Sequence, residues 1–192
     1  MLRYLITALL PLCFVLLSVG YRQMAGPYST QSINPEYIYF ISGLSMGNGI
    51  PDVAHVDNPG TPLQVLAALV FRLFWLVADT QLPFTDFVLL NSDACLGNLN
   101  FCLSLLLGLA LWVGGWVAFK ITRKVPVALL LQSMPMVPGL WFAICGRVTP
   151  ELLFPLPAMW ISLFILKNTT IQRTGLHHSA WLWFRLWACP YS

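Results

Sequence analysis

The chain has 192 residues, 58% of them hydrophobic and only 9% charged, with a net charge of +3 and a mean hydropathy of +0.74. A soluble domain of this length needs far more charge to cover its surface, so the composition excludes that class and points to an all-α integral membrane protein. The charges are segregated: Asp and Glu stand at 36, 52, 57, 79, 86, 93 and 151, whereas Lys120, Arg123, Lys124, Lys167 and Arg173 form basic clusters, and cytoplasmic loops are the ones enriched in Lys and Arg.

Arg3 precedes an apolar run from Tyr4 to Gly20. Because further apolar runs follow, it is predicted as an uncleaved first span with its N-terminus inside. Residues 21–61 are too polar and too rich in Gly and Pro to cross lipid. Within them Asn34 suits an N-cap, Pro35 the first helical position and Glu36 the negatively charged first turn. A surface helix over 35–46 follows, ended by Gly47, Asn48 and Gly49.

The segment 63–77 is apolar yet short for a span. Gln64, Ala68, Arg72, Trp75 and Asp79 recur on one helical face, and Arg72 would be costly at the bilayer centre. This predicts a second surface helix. A span over 99–119, the basic turn Lys120 to Lys124, and a span over 125–145 kinked by Pro135 and Pro138 come next. Gly146 to Glu151 forms an outer turn, and 152–166 crosses back. With 63–77 on the surface, the basic turn lands inside and every acidic residue outside, which agrees with the positive-inside bias.

The tail 171–192 packs Trp181, Trp183 and Trp187 around Arg185 and then stops. It reads either as an interfacial aromatic segment or as an aberrant, disordered end from a shifted reading frame, and the second reading is preferred. Cys13, Cys102 and Cys145 lie in apolar runs as small hydrophobes, and Cys95 with Cys102 is the one pair considered for a disulfide.

This topology brings Glu36, Asp57 and Glu151 to the outer surface. Carboxylates converging there can bind a divalent cation (Mg or Mn) and act as general base. The plainer alternative stays open: Glu36 and Glu151 complement helix dipoles, and Asp57 a turn. His55 is a candidate ligand or proton carrier, and Arg147 a candidate phosphate partner. No phosphate loop, hydrolase elbow, zinc-protease motif or nucleic-acid signature occurs.

Three pieces in fixed order carry a resemblance: Asn34 to Tyr39, Asp57 to Gln64 (Asp-Asn-Pro-Gly-Thr-Pro-Leu-Gln), and Arg147 to Leu153. Over roughly residues 1–170 the chain resembles the N-terminal part of GT-C type integral membrane glycosyltransferases, which include protein mannosyltransferases and aminoarabinose transferases. The resemblance implies transfer of a sugar from a polyprenyl-phosphate donor on the non-cytoplasmic face, in a bacterial inner membrane. It implies Glu36 as catalytic base, Asn34 at a position often acidic, Glu151 as metal or substrate ligand, and Asn58 where a histidine often stands. Two departures matter. Asn34 and Asn58 replace charge or imidazole, and family members have further spans and a C-terminal outer domain. The chain therefore reads as a truncated transferase, inactive alone or completed by a second chain; the alternative is a small non-enzymatic membrane protein whose outer loop binds a partner.

Overall fold

The computed structural model describes residues 2–28, 36–51, 61–136, 146–153 and 155–169. Every regular element among them is helical: α1 (Leu2–Met24), α2 (Glu36–Gly47), α3 (Thr61–Val77), α4 (Phe84–Leu90), α5 (Ser92–Thr122), α6 (Val125–Ser133) and α7 (155–169), with 3₁₀ turns at Met134–Met136 and Pro150–Leu153. By length and composition α1 and α5 are long and apolar enough to cross a membrane. Residues 137–145, which complete the third predicted span, and the tail 171–192 lie outside the described residues.

α5 is the axis of the fold. Leu96, Leu99, Leu103, Leu107 and Leu111 are all buried, at the three- and four-residue spacing of one helical face. Phe101, Leu105, Leu109 and Trp112 on the other side are exposed. α1 runs antiparallel along the buried face: Tyr28 lies at Leu96, Ser18 bonds Ser104 (2.7 Å), and Val15 packs on Gly108. Met159 of α7 packs at Gly114 and Gln132 of α6 at Gly115. Small residues allow this close approach, the usual device where helices pack in lipid.

Gln132 ties three helices together. Its Nε2 donates to the carbonyls of Thr7 in α1 (2.8 Å) and Leu111 in α5 (3.1 Å). Pro11 lies inside α1, and its missing N–H would otherwise have served the Thr7 carbonyl four residues earlier. The Gln132 amide supplies that donor from another helix.

α2 and α3 lie side by side. Gly43 meets Ala67 and Phe71, while four residues later the Gly47 carbonyl accepts from Arg72 Nε at 2.6 Å. A Cβ on Gly43 would stand 2.6 Å from that of Ala67. Phe40 packs on Phe71, Phe74 on Phe87 and Trp75 on Phe84, which fastens α4 beneath α3.

Several boundaries differ from expectation. α5 begins at Ser92 rather than near 99, and α4 lies in a stretch to which the apolar runs assign no element. Cys95 and Cys102 are free. Seven residues along one helix are about 10 Å apart, beyond disulfide reach. The polar stripe of α3 faces protein: Gln64 is buried, Arg72 caps α2 and sits 4.1 Å above the Phe84 ring, and Trp75 Nε1 donates to Leu82 O. The exposed face of α3 is the apolar one, Val65, Leu69, Leu73 and Leu76. Asp79 lies beyond the helix end at positive φ.

Replacing Gln132 by Ala leaves the Thr7 carbonyl without that donor and opens a cavity, for an expected loss of about 2–4 kcal/mol. Pro11→Ala restores a backbone N–H opposite Thr7, so the Gln132→Ala loss is expected to be smaller in the Pro11→Ala background. A double-mutant cycle on detergent-solubilised protein measures this, and strictly additive losses would refute the pairing of Pro11 with Gln132.

Candidate functional site

The C-terminus of α1, the N-termini of α2 and α5, and the turn 146–153 meet at one end of the bundle. Arg22 organises it. Its guanidinium donates to Gly146 O at 3.1 Å and to Gly26 O, and lies 3.5 Å above the Tyr28 ring. The last turn of α1 is thereby fixed to residues 124 positions away. From α5, buried Asn100 donates its amide to Arg147 O at 3.0 Å and holds the same turn from the other side.

Tyr28 is 2% exposed, its hydroxyl directed at Leu96 O at a long 3.4 Å. Burial holds its phenol well above the ordinary range. Arg22 works against this, while the charges of Glu36 and Asp93 add to it. Glu36 opens α2 with 1% exposure, and Tyr39, three residues on and equally buried, lies on the same helical face. The Tyr39 phenol is also raised, by burial first and then by Glu151. Three carboxylates far apart in sequence thus act on two neutral tyrosines. Their carriers are α2, α5 and the Pro150–Leu153 turn.

Of the residues singled out from sequence, Glu36 and Glu151 come to this end, Glu36 buried and Glu151 partly exposed; Arg147 is exposed beside them. Asn34, His55, Asp57 and Asn58 lie outside the described residues. Asp93, Tyr28, Tyr39 and Arg22 were not anticipated. The available signals were an acidic residue in the first turn of the longest helix, and an arginine in the last turn of α1. Gln64 Oε1 and Thr149 Oγ1 are buried with no hydrogen-bond partner among the described residues.

Among the described residues, no three His, Cys, Asp or Glu side chains stand together in a way that could hold a metal. What the described residues assemble is a proton-holding, anionic end with Arg147 exposed at its edge. The opposite end carries Lys120, Arg123 and Lys124.

A raised phenol pKa makes stability fall with rising pH, since above about 10 the unfolded chain releases a proton that the folded chain retains. The Tyr28 titration should therefore leave stability unchanged with pH near neutrality and lower it above pH 10, by up to about 1.4 kcal/mol per pH unit for this group. Thermal unfolding of the native chain and Tyr28→Phe from pH 8 to 11 checks this. Parallel curves would contradict the assignment.

The chain matches no protein-family model, no curated protein and no solved structure.

Proposed function

We propose that this chain is the N-terminal membrane part of a GT-C type glycosyltransferase, or a truncated descendant of one, with its acidic end on the non-cytoplasmic face. The observation that supports the reading best is that Glu36 and Glu151, 115 positions apart in sequence, reach the same end of the bundle, with Tyr39 sensing the Glu151 charge. Those two residues lie in two of the three pieces that carry the family resemblance. In this reading α1, α5, the segment 125–145 and α7 cross the membrane, and α2 and α3 rest at its outer surface. The exposed apolar faces of α3 and α7, including Leu69, Leu73, Trp160, Ile161 and Phe164, then meet lipid, which is favourable where they would be costly in water.

The reaction would join an acceptor hydroxyl oxygen to the anomeric carbon of the donor sugar while the bond from that carbon to the polyprenyl phosphate oxygen breaks. The hydroxyl proton passes to the Glu36 carboxylate, and the polyprenyl phosphate leaves with the bonding electron pair. Such a base contributes about 10²–10⁴-fold and only with a positioned donor. Arg147, exposed at the edge of the site, is the guanidinium that could meet the phosphate. Asp57, His55, Asn34 and Asn58 are assigned to the same site on the resemblance alone.

The burial of Glu36 favours a second reading, a non-enzymatic membrane protein. A carboxylate with 1% exposure in the first turn of α2 complements the helix N-terminus without meeting a substrate. A second chain that supplies further spans would be a third arrangement, with Glu36 reached from that side.

Two experiments separate these readings. With native cysteines replaced, Gln81→Cys should react with an impermeant thiol reagent added outside cells, and Lys124→Cys only after the cells are opened. The reverse pattern would mean that α3 crosses the membrane. Membranes containing the chain and a polyprenyl-phosphate hexose labelled in the sugar should then transfer label, and Glu36→Gln should lower transfer at least about a hundredfold at unchanged membrane abundance. Absence of transfer by the native chain would support the non-enzymatic reading. Transfer by Glu36→Gln at the native rate would remove Glu36 as the base.

A further inference from the structure

The end of the bundle opposite the carboxylates has no role in sugar transfer, yet it is the more sharply built of the two. α5 stops at Thr122 and α6 starts at Val125, so the connection is only Arg123 and Lys124. Arg123 takes a left-handed conformation (φ 58°), its N–H returning to Phe119 O at 2.8 Å. Thr122 Oγ1 donates to Ala118 O at 2.8 Å and accepts from the Lys124 N–H at 3.3 Å. The turn is therefore held by its own backbone, with no carboxylate involved. Lys120, Arg123 and Lys124 are all exposed on it.

A fourth cation joins them from a distant part of the chain. Arg147 O is held at the level of Asn100, and Met159 packs at the level of Gly114. α7 therefore runs in the same direction as α5 and carries exposed Lys167 to the level of the turn. No Asp or Glu occurs between residues 94 and 150 or after 151, so this end has no internal counter-charge in either stretch. Lys120 Nζ lies 3.7 Å above the Trp116 ring, an amphipathic pair of the kind that settles at the headgroup level. The α6 N-terminus adds its positive dipole end at Lys124, which makes no side-chain cap.

We propose that Lys120, Arg123, Lys124 and Lys167 form a binding surface for the phosphate headgroups of anionic phospholipid. Four exposed cations with no Asp or Glu in their own stretches of chain, beside a half-buried tryptophan and below the exposed apolar Leu130 of α6 (71% exposed), match a ligand that is anionic at one end and apolar at the other. A free phosphate would use the charges but not the apolar border. The surface acts as an electrostatic anchor that fixes the depth and tilt of α5 and α6. It holds whether or not the acidic end transfers a sugar.

The test uses the full chain reconstituted in phosphatidylcholine vesicles with trace spin-labelled phosphatidylglycerol or spin-labelled phosphatidylcholine. The motionally restricted fraction should favour phosphatidylglycerol by about fivefold or more, and high salt should weaken the preference. The variant K120Q/R123Q/K124Q/K167Q should lose it, and K120R/K124R/K167R should keep it, which separates lost charge from lost fold. Equal restriction of both lipids by the native chain would overturn the proposal, as would a preference that survives the four Gln substitutions. Abolition of the preference by inorganic phosphate, but not by chloride at equal ionic strength, would assign the surface to a small anion instead.

Discussion

The register of α1 against its neighbours rests on a carbonyl that Pro11 deprives of its ordinary helical donor. Pro11 withdraws the N–H owed to Thr7 O, and in a medium without water an unanswered carbonyl costs several kcal/mol. Gln132 answers it and, with the same nitrogen, reaches Leu111 O in α5. For that nitrogen to arrive, α5 must offer no side chain at 115, and Gly115 does not. A proline in one helix, a glycine in the second and a glutamine in the third thus form one device that sets the register of α1, α5 and α6.

With that register set, the two ends of the bundle acquire opposite character. Ser18 meets Ser104 one level up, Asn100 holds the turn at Arg147, and Arg22 closes the gap between α1 and Gly146. These contacts use polar groups to satisfy backbone or each other, and they leave Glu36, Asp93 and Glu151 around Tyr28 and Tyr39. The tyrosines stay protonated because burial and three nearby carboxylates all disfavour a phenolate, and the single opposing charge, Arg22, does not prevail. The cations at the other end lie in stretches, 94–150 and beyond 151, that contain no Asp or Glu to neutralise them.

Local grammar explains what was legible from sequence. Glu36 beside Pro35, and Gly47 before Asn48 and Gly49, delimit α2 to within a residue, and apolar length alone identifies α1 and α5. Legibility failed where the deciding partner is distant. Arg72 and Trp75 look like a water-facing stripe until α2 and α4 are known to cover them. Gln132 looks like an isolated polar residue until Pro11 is placed opposite. Asp93 lies in a stretch that the apolar runs leave unassigned, although polar residues such as Asn91, Ser92 and Asp93 are what begin a helix. The convergence of Glu36 and Glu151 was expected from topology; the two tyrosines between them were not, since nothing local distinguishes them from interfacial aromatics.

The charge count at the acidic end bears on which version of the transferase reading is physically coherent. A polyprenyl-phosphate donor brings negative charge to a place that already holds Glu36, Asp93 and Glu151. Arg22 is committed to Gly26, Gly146 and the Tyr28 ring, and Arg72 to the C-terminus of α2. Among the described residues that leaves Arg147 as the exposed guanidinium at this end. A lone exposed cation is screened and gains little from binding a phosphate; a pair enclosed by protein is screened less, and is favourable only where further hydrogen bonds offset its desolvation. On the transferase reading proposed above, Arg147 alone would therefore hold a donor phosphate weakly, and a working donor site would need further groups beyond the described residues.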